Sequence, residues 1–380
     1  MKEYLNSFTL ELETLSPVHI GDGDCYEKKT YLTEGDELYV FRGKNLYRFL
    51  NSRYPHSDYE SFVIDQRRDL RQFFQEYQIR KEAYEEAMER KLKIASSNGM
   101  IDSKIFTFVR DPYGCPYIPG SSLKGALRSV IESSIILRSQ NKPLTKDNMI
   151  RIINDERKQY ADKHQNKPLN PKDKSFLRRA NEDLSKDTMR AQIFPDKTGM
   201  FNVSDMVNDI MRGIIVGDSE PLSDDDILVN SIFSIGPDNI QYRKVQVLAE
   251  CLKPRTIVRF PVTVDTSFYD KLNEEQKKVF TPDGLLEAVQ LCWENYCQKY
   301  INAYSTLSKK ETGSILMLGK YTGFVSKTEE IALFDEKDAM QVTSEVLKTR
   351  SSTRSPFFVR CSYVGDELYQ MGRCTLKKLD

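Results

Sequence analysis

Apolar and polar positions alternate at the start of the chain, with Phe8, Leu10 and Leu12 on one face and Thr9, Glu11 and Glu13 on the other. This period of two predicts a first strand over residues 8–20, closed by the turn-rich run His19-Ile20-Gly21-Asp22-Gly23-Asp24. Residues 29–41 repeat the alternation around Gly35-Asp36 and predict a hairpin. The period then changes: Leu70, Phe73, Phe74, Tyr77, Tyr84 and Met88 share one helical face, so a helical insertion is expected over about 59–95. A strand at 104–110 leads through Asp111-Pro112-Tyr113-Gly114 to a helix over about 122–138. From 155 to 190 apolar residues thin out among Lys, Asp, Asn and Pro, which predicts a mobile, thumb-like polar insertion. Strand patterns resume at 210–219, 227–235, 244–251 and 256–264, followed by a helix at 283–307 and a strand at 314–318. A hairpin of 357–364 and 367–377, turned at Gly365-Asp366, closes the chain. Two β-α-β-rich halves predict an α+β protein of duplicated plan, with domains 1–225 and 226–380.

Composition narrows the class. The chain has 380 residues, 39% hydrophobic and 29% charged, too polar for a membrane protein and too aromatic for a disordered one. No apolar run approaches the roughly 18 residues of a spanning helix, and the N-terminus lacks the apolar core of a secretion signal. A cytosolic protein with no membrane partner is expected. The seven cysteines are scattered, and Cys292 and Cys297 have the wrong spacing for a metal knuckle. Neither disulfides nor a metal or other cofactor are expected. Basic and acidic residues balance at 56 each, yet residues 121–200 carry 17 Lys plus Arg against 10 Asp plus Glu. Any polyanion site should therefore be local.

The most informative run is Ile118-Pro119-Gly120-Ser121-Ser122-Leu123-Lys124-Gly125-Ala126-Leu127-Arg128. Gly120 and the serines can open a helix whose first N–H groups and dipole attract an anion, with Ser121, Lys124 and Arg128 in one sector. Gly125 is expected to let the helix pack closely on a sheet. Spacing alone leaves two readings, a phosphate-binding helix start or a capped amphipathic helix with two solvated cations. The order of glycine, lysine and serine is wrong for a Walker P-loop, so ATP hydrolysis is not indicated.

This run, together with Leu15-Ser16-Pro17-Val18-His19-Ile20-Gly21-Asp22-Gly23, resembles the RAMP proteins of CRISPR systems. Three further blocks appear in the same order: 211–219 (Met211-Arg212-Gly213 to Ser219), Ala249-Glu250-Cys251-Leu252-Lys253-Pro254, and 318–328 with Gly319-Lys320-Tyr321-Thr322-Gly323. With chain length and the final hairpin, the set is similar to the fifth-subunit family of type III-A (Csm) effector complexes.

The resemblance implies two tandem ferredoxin-like, RRM-like domains capping one end of a ribonucleoprotein filament. Its implied partners are the 3′ region of CRISPR RNA and the neighbouring backbone subunits, with room for a host ribonuclease to finish the RNA end. It implies no catalytic site. The RNA-binding set expected on this basis is His19, Gly21, Gly23, Ser121, Ser122, Lys124, Arg128, Arg212, Gly319, Lys320, Tyr321, Gly323 and Lys327. Lys320 and Lys327 would meet phosphates while Tyr321 stacks on a base, although 319–323 is less glycine-dense than the family's loop. Read from the residues alone, that segment is equally an ordinary exposed turn. Arg212 would approach RNA or an adjacent subunit, or serve the fold.

His19 is also the residue an endoribonuclease reading would use as general acid or base, against a structural or RNA-lining role. Carboxylates at Asp22, Asp24, Asp205, Asp218 and 224–226 invite a metal-nuclease reading, against loop solvation, capping and subunit contact. Lys163, Lys167, Lys172, Lys174, Arg178 and Arg179 would grip RNA as a thumb or simply be solvated. Trp293, Tyr296 and Tyr300 have core spacing on a helix. The expected function is a non-catalytic RNA-binding assembly subunit needed for CRISPR RNA 3′-end maturation; the alternatives are a trimming endoribonuclease and a scaffold for proteins alone.

Overall fold

A computed structural model describes residues 4–41, 43–65, 67–95, 104–139, 206–237, 241–307, 311–339 and 358–379, with scattered positions between 147 and 193. The chain opens with β1 (Leu5–Thr14), β2 (Gly21–Tyr26), β3 (Tyr31–Glu34) and β4 (Glu37–Phe41). Short helices α1 (Gly43–Asn51), α2 (His56–Ile64), α3 (Leu70–Glu76) and α4 (Lys81–Tyr84) lead to β5 (Met88–Ile94), β6 (Ile105–Phe108) and the long α5 (Gly120–Arg138). After β7 (Ile214–Val216), β8 (Ile227–Ile235), β9 (Gln241–Leu252) and β10 (Ile257–Asp265) come α6 (Glu274–Lys278), α7 (Pro282–Lys299) and β11 (Ile315–Met317). The described chain ends with α8 (Glu330–Leu333), β12 (Val359–Val364), β13 (Glu367–Gln370) and β14 (Arg373–Leu379).

The α+β class expected from the sequence is what forms. One sheet has five antiparallel strands in the order β11-β14-β1-β10-β7. Leu10, Leu12, Phe260 and Val262 on its inner face pack with Leu123, Leu127 and Ile131 of α5 and Leu285 and Val289 of α7 in one apolar core. In chain order β1, α5, β7, β10, α7 and β11 run β-α-β-β-α-β, and their strands lie fourth-first-third-second, with β14 inserted between β11 and β1. The second sheet follows β2-β6-β9-β8-β5-β4-β3. β8 meets β9 on one edge; on the other it meets β5 at Leu228–Val229 and β12 at Ile232–Ile235. Both sheets draw strands from before and after the expected boundary at 225/226. Residues 15–18 bridge the sheets: Leu15 N–H donates to Arg373 O at 2.8 Å and Val18 exchanges backbone bonds with Leu252.

Several local expectations are corrected. The continuous helical pattern of 59–94 breaks into three short helices and a strand. Asp69 starts α3 with a reciprocal capping box to Gln72, and Leu92 and Ile94 alternate with charged residues in β5. These helices close a separate apolar cluster of Phe49, Phe62, Phe73, Phe74 and Tyr84 over Tyr39 and Phe41 of β4. The turn-like 21–26 is a strand, paired to β6 across a register shift. The last hairpin strand, expected over 367–377, divides at Gly372, and its second half joins the five-stranded sheet as β14. Most of the polar insertion, including Lys163, Lys167, Lys172, Lys174, Arg178 and Arg179, and also Asp205, lies outside the described residues.

Candidate nucleic-acid interface

The strand-exit block and the 319–323 loop meet directly. Lys320 N–H donates to His19 O at 2.7 Å, and a Cβ at Gly319 would stand 2.5 Å from that oxygen, so only glycine fits. Left-handed backbone alternates along the loop, at Gly319 (φ 90°), Tyr321 (φ 70°) and Gly323 (φ 98°). Tyr321 thus holds a conformation usually left to glycine, while its ring stacks on His19 with centroids 5.4 Å apart.

His19 is fully buried. Its Nδ1 lies 2.7 Å from Glu250 O, which can only accept, so Nδ1 carries the proton. Among the described residues Nε2 has no partner, and it faces the Gly21 backbone, where a Cβ would come within 2.8 Å. Burial holds the imidazole pKa below its usual value, against the opposing bond to Glu250.

Glu250 anchors this corner, and sequence reading missed it. Its buried carboxylate accepts from Tyr26 OH at 2.9 Å and Phe108 N–H at 2.8 Å, with Arg110 Nη2 at 3.4 Å. Arg110 also pairs with Asp224. Burial, reinforced by the Glu250 charge, pushes the Tyr26 hydroxyl up. The partners lie over a hundred positions apart in sequence, and only the alternation of β9 hinted that Glu250 points inward.

The start of α5 differs from the anion site expected. Gly120 N–H donates to Asp218 Oδ1 at 2.8 Å, which places a carboxylate at the positive end of the helix. Gly120 itself is required by the backbone leaving β7, because a Cβ would stand 2.4 Å from the Val216 and Gly217 oxygens. Arg128 is not a solvated partner of Lys124: it pairs with Asp209 Oδ2 at 2.8 Å and donates to Ser185 Oγ at 3.1 Å. Burial holds the Lys124 pKa down despite the attraction of Asp209. Gly125 does not serve close packing on the sheet either; among the described residues a Cβ there would have no atom within 4 Å.

That open position borders a cleft of about 530 Å³ between α5, α7, β11 and residues 319–328. Of the expected residues, the cleft gathers Gly21, Ser121, Ser122, Gly319, Lys320 and Lys327. His19, Tyr321, Gly23, Lys124, Arg128, Arg212 and Gly323 are not among its lining residues, although His19 and Tyr321 adjoin Gly21 and Lys320, which are. Arg212 is exposed elsewhere and donates Nη1 to Val207 O at 3.0 Å. Lys320 Nζ sits 5.0 Å from the Phe106 ring centroid and 5.4 Å from that of Tyr321. Burial holds the Lys327 pKa down. Among the described residues no carboxylate pairs with either lysine. Trp293 and Tyr296 reach the cleft floor but belong, with Tyr300 and Tyr304, to a buried aromatic ladder.

The acidic turns are spent locally. Asp22 accepts from Thr107 Oγ1 at 2.6 Å and from Asp24 N–H at 2.9 Å, and Asp224–Asp226 form a turn capped by Ser223. Among the described residues no three His, Cys, Asp or Glu side chains are grouped to hold a metal, and no helix is long and apolar enough to cross a membrane.

The RAMP superfamily model matches residues 11–319. A Mycobacterium tuberculosis (strain CDC 1551 / Oshkosh) protein, "CRISPR system Cms protein Csm5", is 25% identical over 99% of this chain and 98% of its own. A Streptococcus thermophilus protein of the same description is 31% identical over 34% of this chain and 39% of its own. In fold, the chain is similar to one in a cryo-EM structure of a type III-A Csm–crRNA–target RNA ternary complex, with TM-score 0.69, 19% identity and coverage of 98% and 100%. The crystal structure of T. onnurineus Csm5 aligns with TM-score 0.63, 20% identity and coverage of 96% and 99%. With the family model covering most of its length, the chain belongs to the RAMP superfamily.

Proposed function

We propose that the chain is a non-catalytic RNA-binding subunit at the 3′-end side of a type III-A Csm complex. It would hold CRISPR RNA and the adjoining backbone subunit in the cytoplasm and support 3′-end maturation, with a host ribonuclease doing the cutting. The observation that carries this reading is the single cleft into which Gly21, Ser121, Ser122, Gly319, Lys320 and Lys327 come from three distant segments. Cations that no carboxylate among the described residues pairs with suit a phosphate backbone, whereas the Tyr321 ring is already taken by His19 and is not the base platform expected of it. Two ferredoxin-like units are part of the proposal. The five-stranded sheet supports one by its β-α-β-β-α-β order, the second sheet would carry the other, and the two interleave in sequence around 225/226.

Cutting by His19 is disfavoured, because the ring is buried and Nδ1 is committed to a backbone carbonyl. The deciding experiment titrates labelled single-stranded RNA with the wild type and with the Lys320→Ala/Lys327→Ala variant over a range of salt. The variant should bind more weakly to every sequence, with a log–log salt slope shallower by about 0.7 per lysine. Equal affinity and slope would remove the cleft mouth from RNA binding. Cleavage that disappears with EDTA or in His19→Ala would replace the subunit reading with the nuclease.

A further inference from the structure

The cleft is larger than two phosphate contacts require, at about 530 Å³. Its α5 wall is built from small residues: Ser122, Gly125, Ala126 and Ser129. Among the described residues no atom lies within 4 Å of a Cβ placed at Gly125. The facing walls are largely apolar, with Met317, Val325 and Ile331. Several of the hydroxyls that line it spend their protons on backbone carbonyls, Ser326 Oγ on Thr322 O at 3.1 Å and Thr328 Oγ1 on Phe324 O at 3.0 Å. Asn295 donates its amide to Ile331 O at 3.0 Å and keeps a carbonyl oxygen, while Ser129 Oγ donates to Lys327 O at 3.3 Å and keeps lone pairs. Among the described lining residues positive charge is confined to Lys320 and Lys327. The complementary ligand carries negative charge outside and a weakly polar, slender body inside. Nucleotides of a single strand have that division, since bases can splay inward while the phosphates stay at the surface.

We infer that the cleft takes one unstacked nucleobase of the bound RNA, with its flanking phosphates held at the mouth by Lys320 and Lys327. This rests on the RNA-binding reading above and adds a base pocket to it. Lys320 and Lys327 are both exposed and neither has an acidic partner among the described residues, so both are open to flanking phosphates. The hydroxyls and amide offer few fixed donors, so selection among bases is expected to be weak and the pocket to read the presence of a base.

The test uses the full chain and a single-stranded RNA in which one abasic nucleotide is moved along the sequence. At one position its introduction should weaken wild-type binding about tenfold. Gly125→Phe fills the pocket from the open side of α5. It should bind intact RNA about as weakly as the wild type binds that abasic RNA, lose the discrimination, and retain the salt slope. A fluorescent purine at the same position should brighten on binding wild type as it leaves the stack, a reading that needs no variant. No sensitive position, no brightening, or a Gly125→Phe protein that discriminates like wild type would each overturn the base pocket. If Lys320→Ala/Lys327→Ala still loses affinity, RNA binding at the mouth survives that result; if it does not, the underlying reading falls instead.

Discussion

His19 keeps an unprotonated Nε2 sealed between the Tyr321 ring and the Gly21 backbone, which ties its charge state to the fold. Its folded pKa lies below the ordinary 6.5, so the unfolded chain binds the extra proton first. The stabilising contribution is whole above the ordinary value and is lost as pH falls through the depressed one. Wild type should therefore lose more stability than His19→Gln between about pH 7 and about pH 5 in urea titrations. Parallel losses would show that the ring titrates freely. The variant comparison is needed because Glu132, whose pKa burial raises, contributes in the opposite direction. At this scale the sequence disclosed some roles and hid others. The glycines of 319–323 and the His19-Ile20-Gly21 turn were visible as motifs because tight backbone approach demands particular residues. The Arg128–Asp209 pair and the Glu250 hub were not, since partners so far apart become neighbours only after sheet closure. Gly125 carried the opposite meaning from the one its helical position suggested.

Gly372 decides how the final strand is shared. It lies at φ 89°, and a Cβ there would stand 2.2 Å from Thr322 Cγ2 and 2.6 Å from Leu318 O. Its N–H donates to Pro17 O, and Leu318 N–H donates to its carbonyl. Gly372→Ala should cost about 1–3 kcal/mol from backbone strain alone, more with the clash, read as a lower urea midpoint. An unchanged midpoint would mean the junction relaxes at no cost. Strands with clear alternation were legible: 227–235 is found as β8 with those bounds, and the Gly35-Asp36 turn joins β3 to β4. β2 was not, because Gly-Asp-Gly-Asp has no apolar alternation and pairs only through its distant neighbour β6. Short helices in 56–84 merged into one pattern since their apolar faces all turn toward the same cluster.

At the scale of the molecule, β14 lies between β11 and β1, so the five-stranded sheet depends on residues 373–379. Ending the chain at Gly372 would leave β11 without a strand partner among the described residues and open one edge of β1. That truncated protein should aggregate or lose cooperative unfolding, measured by gel filtration and circular dichroism. A monomer melting like wild type would show that the sheet closes without β14. The α+β class was legible from strand and helix content, but the interleaving was not, because local patterns do not say which sheet a strand enters.

The junction at Gly372 also governs timing during translation. Pro17, Leu318, Thr322 and Gly372 converge, and Leu318 lines the cleft, so that part of its wall is not fixed until the ribosome has passed Gly372. If the cleft is the RNA site proposed above, nascent products that stop short of Gly372 lack its finished wall and hold no transcript.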